Sequence, residues 1–170
     1  MKPAQPITRR RFLALSIAAS AAVLLSGCGF HLRGTESMPR LPALSIEGDD
    51  NSALAQQLRT RLQQLGTEVE SGAPWRVTLG TPSLQERRIG TDGRASREHE
   101  LTLSTTLSVQ QRETNAYALN NATLATSTRI RVSDDDLLNR ETLFQEAEQT
   151  LTRQLAQRIV ERLANLEAPR

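Results

Sequence analysis

Cys28 is the only cysteine of the 170-residue chain, so any chemistry that requires sulfur depends on this residue. It directly follows Leu25-Ser26-Gly27, where the small residues leave an extended, uncrowded peptide beside a nucleophilic thiol. This setting predicts that Cys28 is lipidated beside a cleavage site. An acylated Cys28 leaves no thiol for a disulfide, a CxxC redox site or a thiolate metal site.

The other residues that could do chemistry form no recognisable catalytic set. Of the two histidines, His31 lies in an irregular stretch and His99 in a candidate strand, and we interpret both as surface residues. Asp134-Asp135-Asp136 lacks the glycine and terminal glutamate of an EF-hand loop and is better explained as a helix cap. Without an HExxH, a GxSxG or a glycine-rich phosphate loop, the sequence predicts no enzyme, no metal and no cofactor beyond the lipid on Cys28.

Residues 1–27 have the order of a signal peptide that is removed. Four cations precede an uncharged run from Phe12 to Leu25, which is too short to span a bilayer comfortably. The segment resembles a bacterial lipoprotein signal that ends before Cys28, and this likeness implies a diacylglyceryl group on the Cys28 sulfur and an acyl group on its nitrogen. A short membrane anchor with an incidental cysteine is the alternative. Arg9-Arg10-Arg11 fits either a twin-arginine export signal or an ordinary basic segment.

Cleavage before Cys28 changes the charge balance of the chain. It removes four of the 21 Lys and Arg residues and none of the 19 Asp and Glu residues. The mature chain is therefore slightly acidic, which argues against a nucleic-acid binder. Two or more acyl chains on Cys28 would hold the protein on a membrane.

The mature chain predicts one domain behind a tether. Residues 28–42 contain glycines and prolines without periodicity and are interpreted as a lipidated tether. Residues 43–166 are predicted to form a single domain, with a C-terminal tail over 167–170. Leucines at helical spacing predict a first helix over 52–65, and a second apolar stripe predicts a final helix that ends near Leu166.

Alternating residues predict the strands between the helices. Trp75, Val77 and Leu79 alternate with polar residues, and Pro82 is expected to place this strand at an edge or to break it. Asp92-Gly93 predicts a hairpin. The resulting order is β-α-β-β-β-α, with the first strand parallel to a later one. We therefore predict an α+β two-layer sandwich, in which two helices pack on one face of a mostly antiparallel four-stranded sheet.

The opposite face of this sheet is predicted to be polar. It would consist of Ser, Thr and Arg residues: Arg76, Thr78, Thr102, Ser104, Thr106, Ser108, Thr123, Ser127, Arg129 and Arg131. A half-solvated antiparallel sheet explains this composition. Docking against a polar wall, such as the lumen of an outer-membrane barrel, is the alternative, and the sequence alone favours the half-solvated sheet.

Arginines cluster around the predicted hairpin, at positions 87, 88, 94 and 97. The mature chain contains no lysine, so every fixed side-chain cation in it is a guanidinium. Guanidinium groups suit bidentate phosphate contacts. Solubilisation of a hairpin tip is the alternative, and Arg140 near the start of the last helix also fits an ordinary solvated residue.

The run Cys28-Gly29-Phe30-His31-Leu32-Arg33 resembles the start of mature lipopolysaccharide-assembly lipoproteins of the LptE family. The resemblance continues in outline over the mature chain. It implies two helices on a four-stranded sheet and a non-enzymatic plug inside the outer-membrane barrel LptD. It also implies binding of lipopolysaccharide, with Arg140, Arg94 and Arg88 as the candidate contacts.

The position of Gly29 after the lipidated cysteine fits sorting to the outer membrane, on its periplasmic side. Two rival functions remain open on the sequence. The chain could be another envelope lipoprotein that acts as a tether or chaperone, or a lipid-anchored periplasmic hydrolase, which requires a pocket with paired titratable groups.

Overall fold

The computed structural model describes residues 41–90, 96–133 and 137–166. Its elements follow the order β-α-β-β-β-β-α. They are β1 (Leu44–Gly48), α1 (Ala53–Gln64), β2 (Trp75–Leu79), β3 (Ser83–Ile89), β4 (Ser96–Gln111), β5 (Tyr117–Ser133) and α2 (Leu137–Ala164). The α+β class predicted from the sequence is confirmed, with five strands in place of four.

The long strand β4 organises the sheet. β5 pairs antiparallel along one edge of β4. β2 and β3 both pair antiparallel with the other edge, β2 with residues 107–111 and β3 with residues 98–104. β1 lies parallel to β2, as predicted. The additional strand thus arises because the chain that pairs with this edge of β4 is divided into two strands, β2 and β3.

The division between β2 and β3 lies at Gly80-Thr81-Pro82. The backbone N–H of Gly80 still donates to the Thr106 carbonyl at 2.9 Å, and the hydroxyl of Thr105 donates to the Gly80 carbonyl at 2.7 Å. Pro82 has no N–H to continue this ladder. The predicted effect of Pro82 as a strand breaker is therefore confirmed.

The core lies between the helices and one face of the sheet. The apolar stripes of α1 and α2 form one buried cluster with alternate residues of β1, β2 and β4. The largest fully buried side chains are Leu54, Leu58, Leu62, Val77, Leu79, Leu101, Leu107, Leu151, Leu155, Ile159 and Val160. Each such side chain contributes roughly 1.5–3 kcal/mol on burial, so aliphatic packing holds the two layers together.

Local signals set the ends of α1. The hydroxyl of Ser52 accepts from the Ala55 backbone N–H at 3.2 Å, which is the bond expected of an N-cap. At the other end Gly66 has a φ of 75°, the left-handed conformation that commonly ends a helix. The helix predicted over 52–65 is thereby confirmed to within a residue at each end.

Glu47 of β1 joins β2 to the turn that follows β4. Its carboxylate accepts from Arg112 Nη2 at 2.6 Å and lies 3.3 Å from Arg76 Nε. The hydrogen bond from Arg112 lowers the pKa of Glu47. The carboxylate therefore stays ionised, and the ion pairs intact, below the ordinary range of a glutamate.

Side chains of α2 also bond to β5, which pairs with β4 alone among the described strands. The Thr126 hydroxyl donates to Gln154 Oε1 at 3.1 Å. Arg158 Nη1 donates to the backbone carbonyl of Ala125 at 2.5 Å. One backbone acceptor of β5 is thus taken by a helix side chain.

Candidate functional site

The polar sheet face predicted from the sequence exists as one continuous surface. The register places Thr102 opposite Ser127, Thr106 opposite Thr123, and Thr78 opposite Ser108. These positions alternate with the core residues and are half-buried or exposed. We call this the polar face; it comprises Arg76, Thr78, Thr102, Ser104, Thr106, Ser108, Thr123, Ser127, Arg129 and Arg131, and Arg87, Glu98 and Glu100 continue it toward the Ser96 end of β4.

Ion pairs satisfy the arginines of the polar face near the hairpin. Arg87 donates to Glu100 Oε2 from Nε at 3.1 Å and from Nη2 at 2.5 Å, and Arg129 donates to Oε1 at 3.3 Å. These bonds, chiefly those from Arg87, lower the pKa of Glu100. Arg131 lies 3.5 Å from Glu98. Positive charge on this side is therefore largely matched by carboxylates.

The arginines that cluster in sequence are divided between the two faces of the sheet. Arg87 pairs with Glu100 on the polar face, whereas Arg88 lies opposite His99 on the helix side. Arg97 is opposite Val132, which is also on the helix side. Arg94 lies outside the described residues, as does Cys28. Only Arg88 and Arg140 of the predicted lipopolysaccharide contacts can be placed.

Four residues from three elements meet on the helix side. Glu86 Oε1 of β3 lies 2.6 Å from Nδ1 of His99 in β4 and 3.9 Å from Nη2 of Arg140 in α2. The guanidinium carbon of Arg140 is 5.2 Å from the centre of the Phe144 ring. The rings of His99 and Phe144 meet edge to face at 5.6 Å. We call these four residues the Glu86 cluster.

His99 is buried, and the prediction that it is a surface residue is wrong. Only 4% of the residue is exposed, because it continues the inward alternation of Leu101 and Leu103 under the last helix. That alternation was the signal that could have revealed its burial. A polar ring at a core position needs a hydrogen-bond partner, and Glu86 supplies it.

Arg88 and Arg140 lie on the same side of the sheet as the Glu86 cluster. Arg88 is exposed, two residues along the same face of β3 from Glu86. Arg140 contacts Glu86 and keeps 41% of its side chain exposed. The fold thus puts two arginines separated by 52 positions in the sequence on one side of the sheet, both near Glu86. Two such groups can form bidentate, charge-assisted hydrogen bonds with a phosphate.

The part of the chain that the structure describes gives weaker support to a metal site, a membrane-spanning helix or a ligand pocket than to the Glu86 cluster. Within residues 41–90, 96–133 and 137–166, no three His, Cys, Asp or Glu residues gather as metal ligands. Neither described helix is long and apolar enough to cross a membrane. A shallow groove of about 560 Å³ lies between the helices, lined mainly by glutamine and threonine.

Solved structures share this fold. An uncharacterized lipoprotein B from Nitrosomonas europaea is 15% identical with a TM-score of 0.63, over 80% of this chain and 90% of that chain. The rare lipoprotein B from Shewanella oneidensis is 22% identical with a TM-score of 0.55, over 72% and 92%. A minor lipoprotein from Acinetobacter baumannii is 17% identical with a TM-score of 0.55, over 72% and 91%.

Comparison of the sequence with curated proteins gives no match. Residues 41–163 match the family model LptE, described as Lipopolysaccharide-assembly. This match takes in every described strand, both helices up to Leu163, and the Glu86 cluster. The chain therefore belongs to the LptE family of lipopolysaccharide-assembly proteins.

Proposed function

We propose that this chain is an outer-membrane lipoprotein of the lipopolysaccharide translocon. In this proposal it plugs the LptD barrel, assists assembly of the barrel, and binds lipopolysaccharide for insertion at the cell surface. The family match over residues 41–163 carries the proposal. The chain would act by binding and not as an enzyme, and we propose no cofactor beyond the lipid on Cys28.

The lipid anchor on Cys28 is supported by the signal-like residues before it. The three solved structures compared above are themselves lipoproteins. Lipid chains at Cys28 would hold the domain at the periplasmic side of the outer membrane, and Gly29 fits sorting to that membrane. The tether over 28–42 would then separate the anchor from the domain.

Lipopolysaccharide binding is assigned to Arg88, Arg94 and Arg140. The phosphates of lipid A and of the core sugars offer the anionic groups that guanidinium recognises. Arg140 contacts Glu86, and Arg88 lies two residues from Glu86 on the same face of β3, which supports a shared role. Arg94 is included from the resemblance, since it follows the Asp92-Gly93 pair that predicts a hairpin in the sequence.

The polar face is assigned to the barrel wall. The interior of an outer-membrane barrel is polar, and hydroxyl groups with matched ion pairs complement such a wall without burying unpaired charge. This assignment follows the same residues that the sequence pattern singled out. The helix layer would then face away from the contact.

Purification of the tagged full chain from outer membranes in mild detergent tests the partner. We expect a very large LptD-type barrel to be recovered in an equal molar amount, because a plug and its barrel form a one-to-one complex. Quantitative mass spectrometry measures the ratio. Recovery of a different envelope protein without the barrel would favour the tether or chaperone alternative and overturn this proposal.

Photo-crosslinking tests which face meets the barrel. A photoreactive residue at Ser104, Thr106 or Ser127 is expected to capture LptD in cells, since all three lie on the polar face. The exposed helix positions Gln145 and Gln149 are the matched controls and should give little capture. Preferential capture from the two helix positions would show that the assignment of the face is wrong.

A further inference from the structure

Glu86 is the one carboxylate of the Glu86 cluster, and it lies where an anionic ligand of Arg140 would bind. Its Oε1 atom is 3.9 Å from Arg140 Nη2, on a strand that also carries the exposed Arg88. One-third of the Glu86 side chain is exposed, so solvent and ligands can reach it. An arriving phosphate would meet a guanidinium that already has an internal anionic partner.

The position of Glu86 is fixed by a buried anchor. His99 Nδ1 lies 2.6 Å from the same Oε1 atom, and the His99 ring is itself held by burial and by edge contact with Phe144. The Phe144 ring also carries the Arg140 guanidinium on its face. The buried His99 thus positions the Glu86 carboxylate, and the Phe144 ring positions the Arg140 guanidinium. These contacts keep Glu86 beside Arg140 in the absence of ligand.

We propose that Glu86 is an internal competitor that limits the affinity of the Arg88–Arg140 site for phosphate. This inference rests on the proposed lipopolysaccharide binding. The anionic ligand must either displace the carboxylate from Arg140 or bind beside it, and both routes weaken binding. A protein that passes lipopolysaccharide onward benefits from a contact that forms readily and is released readily.

The test compares Glu86→Gln with the wild type in the full chain, held in detergent micelles. The probe is fluorescent diphosphoryl lipid A, with dephosphorylated lipid A as the ligand control. We expect E86Q to bind diphosphoryl lipid A about two- to fivefold more tightly, the range of an exposed ion pair. The gain should appear chiefly as slower dissociation, should shrink at high salt, and should be absent with dephosphorylated lipid A.

Two further variants keep the result specific. Glu100→Gln removes a paired carboxylate from the polar face and should leave lipid A affinity unchanged. In an Arg140→Ala background, E86Q should bring little or no gain, because the competitor acts through Arg140. If E86Q folds poorly, Glu86→Thr, with a residue that strands favour, provides the same measurement.

The outcomes separate this inference from the function on which it rests. If R140A lowers the affinity for diphosphoryl lipid A but E86Q does not raise it, Glu86 is not a competitor. The assignment of Arg140 as a lipid A contact is then retained. If R140A leaves lipid A affinity unchanged, Arg140 is not a contact, and both the assignment and the inference fail. Tighter binding by E86Q that persists in the R140A background also overturns the proposal.

Discussion

Replacing Gly48 with alanine is expected to destabilise the domain by about 2–5 kcal/mol. Gly48 ends β1 with a φ of 90°, a conformation that is strained for any residue with a β-carbon. The added Cβ atom would clash with the backbone of Leu79, because it would lie 3.2 Å from the carbonyl carbon and closer still to the carbonyl oxygen. That oxygen accepts the Asp49 backbone N–H at 3.0 Å, so a shift would disturb the junction of β1 and β2.

Gly66→Ala is the matched control for Gly48→Ala. Gly66 also has a positive φ, 75°, but no atom lies within 4 Å of the position that its Cβ would take. We expect a loss of only about 1–2 kcal/mol there, from backbone strain alone. Urea denaturation of the two full-length variants measures both values. Equal losses would show that close packing against Leu79 contributes nothing.

Combined replacement of Arg88, Arg94 and Arg140 by alanine is expected to weaken lipopolysaccharide binding at least about tenfold. Each exposed guanidinium–phosphate contact contributes on the order of 0.2–1 kcal/mol, and a partly desolvated hydrogen bond to a charged group contributes about 1.5–3 kcal/mol. One partly desolvated contact together with two exposed ones therefore exceeds the roughly 1.4 kcal/mol of a tenfold change. The salt dependence of binding should fall as well, because fewer charges take part. Titration with labelled lipopolysaccharide at two ionic strengths measures both quantities.

The polar face supplies a charge-matched control for the triple variant. Arg87, Arg129 and Arg131 pair with Glu100 and Glu98, and their replacement by alanine removes the same three charges from the other side of the sheet. This control should bind lipopolysaccharide almost as the wild type does. An equal loss in both triple variants, or unchanged affinity and salt dependence in the first, would refute the assigned contacts.

Local patterns in the sequence were sufficient to predict most of the fold. Leucine spacing predicted α1, and the Ser52 cap and Gly66 that set its ends also act within a few residues of the helix. The alternation of residues 101–109 between the two faces of β4 is a local pattern of the same kind. The strand count was one too low because Pro82 admits two outcomes, an edge position or a break. The pairing of β2 and β3 with β4 decides between an edge position and a break. That pairing joins residues far apart in the sequence, so a local pattern cannot reveal it.

The candidate site was only partly predictable. Arg88 and Arg140 were identified as candidates from the sequence. That both lie near Glu86 depends on how α2 packs on the sheet, and no local sequence pattern determines this packing. Glu86 was not singled out, because a carboxylate on an edge strand looks like a solvated residue. Its importance appears only through His99, whose burial depends on the Phe144 ring above it. Adjacent arginines 87 and 88 were grouped together, although a strand directs neighbouring residues to opposite faces.

The bond between Arg158 and the Ala125 carbonyl bears on how the chain avoids aggregation. β5 is 17 residues long, and a long strand with one unpaired edge is a template for adding a strand of another molecule. Arg158 occupies a backbone acceptor and places a cation beside the strand. Asn121, with a φ of 48°, interrupts its regular geometry farther along. A copy of the chain that is not bound to another protein would thus carry its own protection against strand addition.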